Sequence, residues 1–258
     1  MNKDKFSEKR LRKVIEKYID ENVKVPAFQT IEKDFYAQDK LASLLVLLQV
    51  TIDCIQKEGL DFDKDFLREL PKSEIEERIE VLDEFIKTGY LSQEATVILK
   101  SDSSRKCLLA YLGRELNWVA ISILSGSYIS AHIIMRSVFE LLVGITTKKT
   151  GSMNERIDSI SFLSSQERDE IKKLWRDLCG WAHPFGKWIK EVCPIFVSQG
   201  PMYHSELCKK CLEKLEKLID LLLVVGLEKF EISRKDILDK VDNYRIDTSN
   251  LTLFRNRC

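Results

Sequence analysis

Apolar residues recur at three- and four-residue spacing along most of this chain, with charged positions between them, and that pattern predicts helices. Ser7 to about Asn22 carries a mild stripe of Leu11, Val14, Ile15, Tyr18 and Ile19, and a linker around Pro26 follows. Gln38 to Lys57 contains Leu41-Ala-Ser-Leu-Leu-Val-Leu-Leu-Gln-Val50, apolar nearly all round, which predicts a core helix buried on several sides. Asp61 to Leu70 reads as a connector or a short helix. Pro71-Lys-Ser-Glu-Ile-Glu-Glu77 opens another helix, with Ser73 as its cap and Glu76 completing a capping box; Gly89 ends it.

A second group begins near Ser92. Ser103 to Leu124 and Ser127 to about Thr147 predict an antiparallel hairpin turning near Ser125-Gly126. Its second member is the most apolar helix of the chain, yet it carries His132, Arg136 and Glu140 at four-residue steps on one face. Ser152 to Leu163 is a short segment. Ser164 and Ser165 cap an amphipathic helix with an inner face of Ile171, Leu174, Trp175, Leu178 and Ala182. Phe185 to Val192 reads as a helical turn ending at Cys193-Pro194. Ser205 caps a long helix to about Phe230, and the polar remainder to Cys258 is an appendage. There is no internal repeat. The fold class is all-α, an up-and-down helical bundle over 101–231, with an N-terminal helical extension over 1–100 and the appendage over 232–258.

Composition narrows this further. Forty-one basic and forty-one acidic residues cancel, so no global positive field announces nucleic acid, and any such binding must be local. Seven cysteines without regular spacing read as reduced thiols. The first residues are too charged for a signal peptide, and no apolar run reaches the roughly 18–20 residues of a membrane span. The expectation is a cytoplasmic protein with no membrane partner.

Four features carry candidate chemistry. The first is Leu174-Trp-Arg-Asp-Leu-Cys-Gly-Trp-Ala-His183-Pro184. Arg176, Gly180 and His183 share the stripe next to the apolar face, and about 10 Å of helix separates the arginine from the histidine. Pro184 biases His183 out of the helical region, so a planar cation and a titratable imidazole can converge on one phosphate. Cleavage at a 2′-hydroxyl needs a base, an acid and a cation for the developing charge, which these residue types supply. Asp177 could orient the arginine. The plain alternative is a surface ion pair at Arg176, a helix end at Gly180 and a turn at His183-Pro184.

The second feature is the His132, Arg136 and Glu140 stripe. It is either an ion pair inside a bundle or a support in which Glu140 holds Arg176 or the His183 ring. The third is Cys193, His204, Cys208 and Cys211, whose donor set matches a tetrahedral zinc site. Against that, Cys208 and Cys211 also lie on the long helix's own apolar stripe, where cysteine behaves as a small hydrophobe. The cofactor reading is therefore none, with zinc as its alternative. The fourth is the set Trp118, Trp175, Trp181 and Trp188, either bundle packing or a base-stacking wall.

A helical hairpin followed by a helix closing on Arg-x(4–6)-His, with a polar residue directly after the arginine, resembles the HEPN superfamily (higher eukaryotes and prokaryotes nucleotide-binding). Arg176-Asp177 through His183, with Arg136-Ser-Val-Phe-Glu140 ahead of it, looks like an uncharacterised prokaryotic branch, and the resemblance covers about Ser103 to Phe230. It implies a four- or five-helix up-and-down bundle, usually dimeric, that often acts as a metal-independent ribonuclease in toxin or defence systems. Arg176 would then bind the scissile phosphate, His183 would transfer protons and Asp177 would assist. The partners implied are RNA, a second copy of the chain, and a cognate antitoxin or nucleotidyltransferase. A catalytically silent binding or assembly module on the same bundle, zinc-stabilised in one variant, is the alternative function. The motif holds one histidine while the reaction needs two proton-transfer groups, so the second comes from the His183 of a two-fold-related chain or from His132.

Overall fold

The computed structural model describes residues 34–57, 102–124, 126–182, 204–244 and 246–257, and among them every regular element is a helix. In chain order these are α1 (Phe35–Lys57), α2 (Asp102–Leu124), α3 (Tyr128–Thr146), α4 (Met153–Asp158), α5 (Ser165–Ala182), α6 (Ser205–Phe230), α7 (Arg234–Tyr244) and α8 (Thr252–Arg255). The elements expected over 7–22, 61–70, 71–89 and 185–194 lie outside the described residues.

The α2–α3 hairpin turns where the sequence places it. Gly126 adopts φ 71°, which glycine takes without a Cβ penalty. Its N–H donates to the Ile123 carbonyl at 3.0 Å and the Ser127 N–H to the Ser122 carbonyl at 2.8 Å, a pairing that satisfies the last carbonyls of α2. α5 returns antiparallel to α3, with Trp181 against His132 and Trp175 against Phe139. α6 runs parallel to α3, since His204 meets Tyr128 and Cys211 meets His132. α1 lies along α6 in the same sense, through Asp34 with Ser205 and Lys40 with Glu216. The result is an all-α up-and-down bundle of α1, α2, α3, α5 and α6.

Its core is continuous across those helices, from Leu47, Leu48 and Ile55 through Leu112, Leu116 and Ile123 to Leu218, Ile219 and Leu222, all essentially without solvent contact. α1 falls in the stretch expected as an extension, yet its apolar faces are part of this same core. α3 is long and apolar enough to cross a membrane by length and composition, although no single run in the sequence had met that criterion. Here twelve of its residues are buried within the protein.

Helix starts show how local sequence fixes the elements. Ser164 and Glu167 form a capping box on α5, with the Ser164 N–H donating to Glu167 Oε2 at 2.8 Å and the Glu167 N–H to Ser164 Oγ at 3.3 Å. α6 differs from expectation: its cap is His204, whose Nδ1 accepts the Leu207 N–H at 3.4 Å, and Ser205 is the first helical residue. An imidazole nitrogen serves here as the side-chain oxygen of a serine would.

The segment expected as an appendage is bound in at two points. Asp220, buried on α6, accepts the backbone N–H groups of Leu253 and Phe254 at 2.8 and 2.9 Å. Arg257 reaches Glu167 at 2.9 Å, Glu228 at 2.9 Å and the Phe162 carbonyl at 2.7 Å, and so ties the start of α5 to the end of α6. Burial alone would raise the Glu167 carboxyl, but Arg257, the Ser164 N–H and Asn256 outweigh it and bring it from 4.5 down to about 2. Asp220 goes the other way, raised by burial from 3.8 to about 6 despite its two N–H donors.

These shifts give opposite pH dependences. Stability contributed by Glu167 is complete above its unfolded value of 4.5 and fades as pH falls toward about 2. Between about 6 and 3.8 the folded state takes up a proton at Asp220, and stability from that group rises as pH falls. Glu167→Gln should cost roughly 2 kcal/mol at pH 7, the size of hydrogen bonds to a charged group, since Arg257 keeps Glu228 as counter-charge. Urea melts of both proteins should show that difference shrinking toward pH 3; an equal difference at both pH values would be inconsistent with the ion pair as its source.

Candidate functional site

α5 presents chemically distinct flanks because successive residues are rotated by about 100°. Arg176 is exposed on the outward flank and makes no hydrogen bond or ion pair among the described residues. Gly180 lies one turn further on, half-exposed. Asp177 turns toward α6, where its charge acts on Lys214. The two adjacent residues of the Arg-Asp pair therefore face different surroundings. His183 and Pro184 lie outside the described residues, as do Cys193 and Trp188.

Trp181 closes the inner flank. It is 4% exposed, stacks on the His132 ring with centroids 4.8 Å apart and planes at 16°, and has the Lys210 and Lys214 ammonium groups over its ring at 5.8 and 5.3 Å. Ammonium groups over an indole are attracted by the ring quadrupole, more so where water is displaced. Lys214 is held below the usual lysine range, first by burial and also by the like charge of Lys210 one turn away.

His132 is set by its backbone neighbour. Its Nδ1 lies 2.6 Å from the Tyr128 carbonyl oxygen, which can only accept, so we assign the ring proton to Nδ1. Cys211 Sγ sits 3.6 Å from Nδ1 and 4.0 Å from Nε2. Burial, then the Lys214 charge, push the imidazole from 6.5 down to about 3, so it is neutral throughout the physiological range. A ring this enclosed gives no route for proton exchange with a substrate on the surface.

On the other flank Arg136 Nε donates to Glu140 Oε1 at 3.0 Å, and the Arg136 guanidinium lies 5.5 Å from the centre of the Trp175 ring. Trp175 in turn stacks on Phe139 at 5.5 Å. Cys179 sits beside this pair: burial raises its thiol, with Arg136 and Glu140 acting in opposite directions. Of the stripe His132, Arg136 and Glu140, the structure brings the last two together and turns the first inward. The hydrogen-bond partner of Glu140 is Arg136.

Of the candidate zinc donors, His204 turns its Nδ1 to its own helix, and Cys208 and Cys211 have no solvent contact. Burial pushes the Cys211 thiol up to about 12, which keeps it protonated beside the His132 ring. Among the described residues no three His, Cys, Asp or Glu side chains gather at metal-binding distances. Trp118 is 56% exposed on α2, beside Ile121 at 50%; Trp175 and Trp181 are packed.

Sequence reasoning did not single out Lys210 and Lys214, the cations over Trp181. Their signal was available in the i,i+4 spacing next to the apolar positions 208, 211 and 215. The chain matches no family model, no curated protein and no solved structure.

The neutral state of His132 is open to direct measurement. Nitrogen-correlated spectra of the imidazole should show one neutral Nδ1–H tautomer from pH 8 to pH 5. Stability contributed by this group is complete above its unfolded value of 6.5 and is lost as pH falls toward about 3, because the unfolded ring takes up the proton first. A midpoint above pH 5, or the Nε2–H tautomer, would contradict the assignment.

Proposed function

We propose that this chain is a metal-independent RNA endonuclease of HEPN type that works as a homodimer in a toxin or defence setting. The supporting observation is Arg176: an arginine on the outward flank of α5, exposed and without a polar partner among the described residues, next to a glycine that leaves space beside it. Arg136 and Arg257, by contrast, are committed to Glu140 and to Glu167 with Glu228. A guanidinium presented in this way suits a phosphate, which accepts its donors in forked geometry. In this reading Arg176 binds the scissile phosphate and stabilises its developing charge, and His183 transfers the proton.

The burial of His132 bears on the second proton. A neutral ring enclosed by Trp181, Tyr128 and Cys211 is poorly placed to act on substrate. The second group is then His183 of a two-fold-related chain, with Gly180 permitting close approach. Asp177 acts at one remove, through Lys214. A silent assembly module is the second reading, and the exposed Trp118, Ile121 and Ile133 of the α2–α3 hairpin favour it, since large apolar side chains in solvent mark contact surfaces.

Purified protein should cleave single-stranded RNA in excess EDTA, and Arg176→Ala and His183→Ala should each lower the rate by about 10²–10⁴-fold. Mixing the two variants should restore part of the activity, because a mixed dimer keeps one intact arginine and one intact histidine. Cleavage that survives both substitutions, or that requires added metal, rules this mechanism out. A folded protein with no cleavage of any RNA favours the assembly module.

A further inference from the structure

α2 packs against α1, α3 and α6, and those contacts occupy three of its sides. Its remaining side faces solvent. Among the described residues of α2 the exposed ones are Tyr111, Arg114, Trp118 and Ile121. Their spacing of three, four and three is that of a helical seam that meets a partner helix. Tyr111 is 45% exposed, Trp118 56% and Ile121 50%. A solvated helix face carries mostly charged and polar side chains, whereas three of the four positions here are large and apolar.

Two features indicate what covers the seam. The first is that it is self-complementary. Its spacing is the same in either direction, so a second α2 laid antiparallel across a two-fold axis matches it position for position. With the axis level with Leu116, Tyr111 lies opposite Ile121 of the second copy, and Arg114 lies opposite Trp118 of the second copy. The exposed cation of the seam thereby meets the electron-rich face of an indole. A guanidinium has two faces and five donors, so this contact is compatible with the interactions Arg114 makes within its own chain. A parallel pair would instead set Arg114 against its own copy, like charge on like charge. The second feature is the charge of the whole chain. Its 41 basic and 41 acidic residues cancel, so two copies approach without net repulsion. The Tyr111 hydroxyl also bonds to Glu115 one turn on, which orders its ring before a partner arrives.

We propose that the outward seam of α2 is a homodimer interface, in which Tyr111, Arg114, Trp118 and Ile121 pair antiparallel with the same residues of a second copy. This goes beyond the ribonuclease reading and does not rest on it, since the pairing forms whether or not Arg176 acts on RNA. A fully buried aromatic side chain covers about 150–250 Å² and these are half-exposed, so two seams together offer on the order of 600 Å² of apolar contact. That is about half of a standard interface, which fits a reversible dimer that forms in the micromolar range.

The test is the oligomeric state of the full chain without RNA. Sedimentation equilibrium from about 1 to about 100 µM should show monomer giving way to dimer. Trp118→Ala removes an indole from both halves of the interface and should raise the dissociation constant at least about tenfold. Its melting temperature should stay near that of the parent, because the side chain stands mostly in solvent. Tyr244→Ala, at a side chain 64% exposed on α7, should leave the dimer unchanged. Cross-linking reads the register: Tyr111→Cys protein mixed with Ile121→Cys protein should give an oxidised dimer whose linked peptides join positions 111 and 121. A link from 111 to 111 would mean a parallel pair and overturn the arrangement. A chain that stays monomeric at the highest concentration, or a dimer indifferent to Trp118→Ala combined with Ile121→Ser, overturns the interface. None of these readouts uses RNA, so the interface can fail while cleavage through Arg176 stands, and cleavage can fail while the interface stands.

Discussion

The stacking of Trp181 on His132 fixes the end of α5, and the chemistry of the site follows from it. The indole is large and almost wholly buried, and its partner ring is pinned by a hydrogen bond to the Tyr128 carbonyl. Three helices meet there, since Cys211 of α6 touches the same imidazole. With Trp181 anchored inward, the 100° rotation per residue turns Arg176 to the outward side and leaves Gly180 between the two, half-exposed. The direction of the arginine is therefore a consequence of core packing on the opposite side of its helix.

That contact also explains why a histidine and a cysteine can lie together without forming a reactive pair. A thiolate–imidazolium pair needs solvent or counter-charges to stabilise both ions. Here both groups are enclosed, and the nearest cation, Lys214, disfavours a second positive charge on the ring. The neutral forms win, and the pair packs as apolar matter with one backbone hydrogen bond.

The helices were legible because their cause is local. Apolar spacing placed α2, α3, α5 and α6 within a few residues of where they lie, and the Ser125-Gly126 turn followed from the need for positive φ at glycine. The exposure of Arg176 was legible from its stripe. Less visible was anything that depends on which helices become neighbours. Arg136 and Glu140 could be paired from spacing, but the Trp175 ring beneath Arg136 comes from another helix. The lysines over Trp181 lie some thirty residues further along the chain. The region after Phe230 looked polar because charged residues outnumber its apolar ones, yet Ile232, Ile237, Val241, Leu251, Leu253 and Phe254 are all buried. The His204 cap was missed because histidine is a rare cap and a serine stood next to it.

The bond pattern at Asp220 has a consequence for the order in which the molecule assembles. α8 has four residues, too few to pass the nucleation barrier of an isolated helix, and Leu251 at its start supplies no cap of its own. The acceptor for its first N–H groups comes from α6, more than thirty positions away in the sequence. α8 can exist only once α6 is formed and in place, so it appears after α6 and leaves no later than α6 does. The amide protons of Leu253 and Phe254 should therefore exchange with solvent as one unit, at a rate set by how often that carboxylate lets go.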